Sequence, residues 1–359
     1  MIHFVGMTLF YFVASFLLSF LLTPVVRAIM RYTGIVDKPK TEKRKIHKKH
    51  IPLGGGLAIY SSFFILAAVL VGSGSIGADI PVHSLVGIFL AATCLMVGGL
   101  LDDKYCLRPA HQIIFPIMAC IIVIFFGIGI ESISRPSGGI LSLVEYNITI
   151  SGLGKLTVFA DMIVFFWLMG MMFTTKVLDG LDGLVTGVVA IGALLVYVVS
   201  SQPAWYQPEV GLVALVFSGA CFGFLVWNFY PAKIFLGEGG SLFTGFMLAI
   251  LAIISGSKIA TTVLVMGVPI LDVARVMLRR LQKKKSIFIG DSEHLHYRLL
   301  RSGLSQKQAV LLLYGISFLF GMTTLFLQSR EKIVALSFLF VLMLLAGIWF
   351  SKQQGNEHM

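Results

Sequence analysis

Apolar residues run along this chain in blocks too long for the strands or amphipathic helices of a soluble core. A helix needs roughly 20 apolar residues to cross the hydrocarbon of a bilayer, because each residue rises about 1.5 Å. Eleven stretches approach that length: 5–29, 55–73, 84–101, 112–131, 156–175, 184–200, 209–228, 240–256, 259–278, 309–328 and 332–350. The runs at 84–101 and 240–256, short or rich in glycine, carry the weakest signal. Between 132 and 155 the pattern changes. Pro136-Ser137-Gly138-Gly139 marks a turn, and the alternation in Tyr146-Asn147-Ile148-Thr149-Ile150 predicts a short hairpin. There is no internal repeat and no low-complexity segment. The expectation is an all-α integral membrane protein, a bundle of ten or eleven transmembrane helices forming one polytopic domain over 1–359.

Composition agrees with this pattern. The chain has 359 residues, 57% hydrophobic and 13% charged, whereas soluble domains are about half apolar and about a quarter charged. A net charge of +11 could in isolation point to nucleic acid. Here the basic residues sit in loops between apolar runs, as expected of loops facing the anionic cytosolic leaflet, so no nucleic-acid partner is expected. Cys94, Cys106, Cys120 and Cys221 show no metal or disulfide spacing and read as small hydrophobes. The first run ends in Pro24 and a basic loop without a small-residue cleavage site, so it is expected to stay as a span.

Charge also orients the bundle. Of the 28 Lys and Arg, all but Arg135, Lys155, Lys258, Arg330 and Lys332 fall on one side with the loops 30–54, 102–111, 176–183, 229–239 and 279–308. That side is expected to be cytosolic, with the N-terminus outside and the C-terminus inside. The protein should then sit as a multi-pass chain in the cytoplasmic (inner) membrane.

Candidate chemistry collects on the same side. Asp102 and Asp103 close an apolar run. Two adjacent like charges call for an offsetting divalent cation or proton, or else form a solvated helix end with Lys104 as counter-ion. Asp179 and Asp182 lie three apart in Asp179-Gly180-Leu181-Asp182-Gly183, a spacing that shares one helical face. Asp182 also suits a helix N-cap. Phe235-Leu236-Gly237-Glu238-Gly239-Gly240 leads a glycine-rich turn into a helix, where backbone amides suit phosphate and the acid suits Mg²⁺. His294 and His296 are two apart, so both can serve one ligand only if the backbone there is extended or turning. No cysteine lies near them, which argues against zinc. Lys45, His47 and Lys48 belong to a basic loop that either grips phosphates or is ordinary cytosolic charge. Asp161 and Asp272, inside apolar runs, read as structurally paired acids or as acids close to a membrane interface.

Taken in order, these segments resemble the polyprenyl-phosphate N-acetylhexosamine-1-phosphate transferase family, from the His47–Gly56 loop to Arg298. The resemblance implies a helical bundle that moves a sugar phosphate from a UDP-N-acetylhexosamine to undecaprenyl phosphate, releasing UMP, with Mg²⁺ (or Mn²⁺) as cofactor. It implies that Asp102 and Asp103 handle the lipid phosphate and that Asp179 and Asp182 lie near the nucleotide. It further implies metal binding by Glu238 with Asp103, stacking of Phe235 on uracil, and phosphate or sugar contacts from Lys45, His47, Lys48, Lys176, His294, His296 and Arg298. The His294-Leu295-His296 spacing is similar to the GlcNAc branch rather than the phospho-MurNAc-pentapeptide branch, which carries three adjacent histidines. Four positions depart from the family pattern: Phe173 and Lys176 stand for asparagines, Glu238 for aspartate and Tyr297 for histidine. Lys176 is expected either to bind the diphosphate or to pair with Glu238. A transporter, or a relative that binds without turnover, is the reading from another class. A homodimer is left open.

Overall fold

The computed structural model describes residues 2–39, 49–130, 132–134, 140–143, 147–150, 154–256, 259–284, 293–327 and most of 331–345. Helices dominate: α1 (Ile2–Tyr32), α2 (Gly56–Gly72), α3 (Val82–Tyr105), α4 (Pro109–Gln112), α5 (Ile114–Phe125), α6 (Val158–Leu178), α7 (Leu184–Ser200), α8 (Pro208–Asn228), α9 (Gly237–Ile254), α10 (Ile259–Val265), α11 (Gly267–Gln282), α12 (Leu295–Arg301) and α13 (Gln306–Thr323). Among the described residues five helices, α3, α6, α8, α9 and the Gly6–Tyr32 part of α1, are long and apolar enough to cross a membrane, or six if α10 and α11 count as one bent span. The runs at 84–101 and 240–256, expected to be the weakest, became α3 and α9, both among these five; α9 is the least apolar of the five, whereas α3 is as apolar as α1 and α8.

Glycine weakens a hydropathy signal but lets helices touch. The centre of the bundle is α9, nearly all of it enclosed, with α3 and α6 packed against it. At the α3–α9 crossing a Cβ on Gly99 would lie 2.0 Å from Gly239 Cα. Only hydrogen at Gly99 permits that approach, while a Cβ on Gly239 would stand 3.2 Å from the Met96 carbonyl oxygen; this is the small-residue packing on which helices in lipid rely. Lipid-side positions on α1 (Leu9, Phe10, Leu17, Leu21) are exposed and apolar.

The 259–278 run departs from a straight span. It breaks at Met266, and α10 and α11 meet at 74°. Pro269 has no N–H to continue the ladder back to Val265, and Gly267 adds backbone freedom. The 112–131 run is likewise shorter than expected, its helix α5 ending at Phe125. On the opposite side from the acids, two hairpins form rather than one: β3 (Ser132–Ser134) with β4 (Ile140–Ser142), and β5 (Asn147–Ile150) with β6 (Gly154–Thr157). The Pro136–Gly139 turn lies outside the described residues. On the same side as the acids, β1 (Val36–Asp37) pairs with β2 (Ile51–Pro52). Ser305 and Gln308 cap α13 reciprocally, Gln308 N–H donating to Ser305 Oγ (3.3 Å) and Ser305 N–H to Gln308 Oε1 (2.9 Å).

Candidate active site

Asp102 and Asp103 share the end of α3 but look apart. Asp102 Oδ1 accepts Leu107 N–H (2.8 Å) and Gln112 Nε2 (3.0 Å), folding the turn into α4. The Asp103 carboxylate accepts Glu238 N–H at 3.1 and 3.3 Å. It therefore caps the start of α9, taking the anionic place at a helix N-terminus that sequence reasoning gave to phosphate. Gly237 reaches this geometry with φ +79°, and a Cβ there would sit 2.5 Å from Asp103 Oδ2. Thus the two acids are held by separate protein donors.

Asp179 and Asp182 do not share a helical face, because α6 ends at Leu178 and they stand in the turn before α7. Nor is Asp182 the cap of α7. Gly183 (φ +79°) is the cap, and Asp182 Oδ2 accepts Ala232 N–H (2.9 Å), tying this turn to the loop before α9. In that loop Phe235 is joined by its backbone to the glycine turn before α2: its N–H donates to the Pro52 carbonyl (2.8 Å), and its carbonyl accepts Gly55 N–H (2.9 Å). Lys45, His47 and Lys48 lie outside the described residues.

Lys176, on the last turn of α6, resolves one alternative. Its ammonium is ion-paired with Glu238 and donates to Gln112 Oε1 (3.0 Å). Gln112 therefore bridges Lys176 and Asp102. This residue was missed in the sequence, where a lone glutamine at the start of an apolar run carries no signal.

The two histidines stand where the backbone passes from extended to helical, the geometry one shared ligand would need. His294 is extended (ψ 151°) and starts α12, so its ring stacks parallel to that of His296, centroids 5.8 Å apart. Asp272, buried on α11, fixes this arrangement. Its Oδ2 meets His294 Nδ1 (2.9 Å) and accepts Leu295 N–H (3.0 Å), and its Oδ1 accepts Arg275 (2.7 Å). The structural pairing expected of Asp272 is present, but it also orients His294. Asp161 is paired as well, accepting Thr157 N–H (2.8 Å) at the start of α6. His296 is 2% exposed, and its buried Nε2 has no hydrogen-bond partner among the described residues. It abuts Gly180, where a Cβ would lie 2.4 Å from Nε2, so the two site segments interlock. Burial, with His294 beside it, pushes the His296 imidazole down to about 3, so the ring is neutral near pH 7. Arg298, assigned to substrate, is buried and donates through Nε to the Glu293 carbonyl (2.9 Å).

A divalent ion does not fit this arrangement as it stands. Asp103 faces the α9 amide, Glu238 faces Lys176, and no group of three His, Cys, Asp or Glu among the described residues is placed to hold a metal ion.

The fold and site define a class: a multi-pass membrane protein with an acid-rich cluster at one end of its bundle. The chain belongs to glycosyl transferase family 4, whose sequence profile matches residues 85–256. A Bacillus subtilis (strain 168) protein named "Probable undecaprenyl-phosphate N-acetylglucosaminyl 1-phosphate transferase" is 31% identical, covering 94% of this chain and 89% of its own length. A Mycobacterium leprae decaprenyl-phosphate N-acetylglucosaminephosphotransferase is 29% identical over 88% of this chain and 83% of its own. A phospho-N-acetylmuramoyl-pentapeptide-transferase of Halalkalibacterium halodurans is 26% identical over 88% and 96%.

Proposed function

We propose that this chain transfers N-acetylglucosamine 1-phosphate from UDP-GlcNAc to undecaprenyl phosphate, on the cytosolic face of the cytoplasmic membrane, to start a lipid-linked cell-envelope glycan. The observation that carries the reading is the convergence of Asp102, Asp103, Asp179, Asp182, Glu238 and Lys176 at one end of the bundle, in a chain 31% identical over most of its length to a relative named for that reaction. The charge-derived topology supports the orientation, with eleven spans, the N-terminus outside and the C-terminus inside.

A phosphate monoester is mostly dianionic at pH 7, its second pKa being about 6. A lipid-phosphate oxygen then attacks the β-phosphorus of the nucleotide sugar. The bond from that phosphorus to the bridging oxygen breaks, and UMP departs with the electron pair, so no proton need be removed. Positioning and charge compensation are the protein's work. Asp103 and Glu238 order the start of α9, the Asp179–Gly183 turn faces the nucleotide, and His294, held by Asp272, offers Nε2 to a phosphate or sugar oxygen.

Purified protein in detergent is expected to release UMP only with undecaprenyl phosphate present, and from UDP-GlcNAc rather than UDP-GalNAc or UDP-MurNAc-pentapeptide. Asp103→Asn and Glu238→Gln should lose most turnover while remaining folded. Near wild-type turnover in both would sink the assignment.

A further inference from the structure

Of the four departures from the family pattern, three meet in space. Phe173 and Lys176 come from α6, and Glu238 from the head of α9. The Lys176 ammonium pairs with Glu238, donates to Gln112 Oε1 (3.0 Å) and stands 5.8 Å from the Phe173 ring centroid. Phenylalanine offers no ligand atom to a metal, but its ring face favours a cation. Glutamate is one methylene longer than aspartate, and here its carboxylate reaches from α9 to the α6 side chain. Through Gln112 the ammonium is linked to Asp102 (3.0 Å), and Asp103 lies within electrostatic reach of Asp102, Asp179 and Glu238. One tethered positive charge therefore sits where the carboxylates converge.

We propose that Lys176 is the resident cation of this acidic cluster. It takes the charge-compensating place that the family resemblance gives to a divalent ion, so that turnover does not require one. A divalent ion at Glu238 would have to expel the ammonium or stand beside it, like charge against like charge. An ammonium has three N–H donors. Glu238 and Gln112 engage two, and a diphosphate oxygen suits a third, as lysine serves phosphate elsewhere as a point charge. The covalent tether means the charge is already in place when substrate arrives.

The activity part of this inference rests on the transferase reading, and the binding part does not. Mn²⁺ binding would be measured by the loss of the free-ion EPR signal on folded wild type, Lys176→Asn and Lys176→Arg, without substrate. UMP release would be measured for the same proteins in EDTA and in Mg²⁺. Lys176→Asn is expected to bind Mn²⁺ about tenfold or more tightly than wild type, the scale on which neighbouring groups change metal affinity, and to turn over only with added metal. Wild type and Lys176→Arg are expected to keep most of their turnover in EDTA. Equal Mn²⁺ affinity in wild type and Lys176→Asn would overturn the proposal, as would wild-type turnover abolished by EDTA and restored by Mg²⁺. UMP release from none of the proteins under any condition would refute the transferase reading instead, and the Mn²⁺ comparison would still decide the role of Lys176.

Discussion

At the scale of single residues, His296 is the most informative side chain. Its pKa falls from an ordinary 6.5 to about 3 on folding. Between those values the unfolded chain binds the extra proton, so stability should be full above pH 6.5 and decline as pH falls below it. From pH 6.5 to 5 the loss should be on the order of 2 kcal/mol. Thermal unfolding of wild type and His296→Gln in detergent would check this. The variant should show a smaller drop between pH 7 and 5, and an equal drop would mean that His296 is not the group responsible. Asp272→Asn leaves Arg275 and His294 without their carboxylate. It should destabilise by about 3 kcal/mol, the usual cost of removing one partner of a buried pair. If Asp272 acts through His294, kcat should fall more than KM rises, a split that a purely structural role would not produce.

At the scale of elements, the α3–α9 crossing sets the site, because α3 carries Asp103 and α9 carries Glu238. Gly99→Ala would drive a methyl into the Gly239 backbone, where nothing flexible can yield. It should cost about 2–3 kcal/mol and lower turnover along with the melting temperature. At the far end of the bundle, Glu209 accepts four backbone N–H groups, Gly77, Ala78, Asp79 and Ile80, each at 3.0 Å. It thereby ties the α2–α3 loop to the start of α8. Glu209→Ala should cost about 1–2 kcal/mol, since hydrogen bonds to a charged acceptor are stronger than average but this one is partly solvated. Turnover at a fixed, permissive temperature should change little. A large loss there, without a change in melting temperature, would contradict a purely structural role.

At the scale of the whole molecule, orientation can be tested with the native chain. Cys106 is exposed beside Asp102 and Asp103, whereas Cys120 and Cys221 are buried and Cys94 is half-buried. A membrane-impermeant maleimide should label Cys106 in inverted vesicles and not in right-side-out ones. The opposite result would turn the topology over and place the acidic cluster outside.

The sequence by itself determined the class of protein, the general run of its helices and the candidate residues for its chemistry. Each of these depends on local quantities: the length of an apolar run, the spacing of charges along it and a short motif. Even the extended or turning backbone at His294 was the one a shared ligand would need at a spacing of two. Tertiary structure decided which groups meet. Asp103 and Glu238 are 135 positions apart, and nothing local says that the carboxylate of one caps the helix begun by the other. Gln112 and Asp272 became site residues only because α4 and α11 pack where they do. Glycine explains why the weakest apolar run became the centre: hydropathy counts side-chain area, of which glycine has none, while close packing rewards its absence. Sequence left Lys176 with two roles, since charge says what it attracts but not what is near. The meeting of α6 and α9 placed it on Glu238.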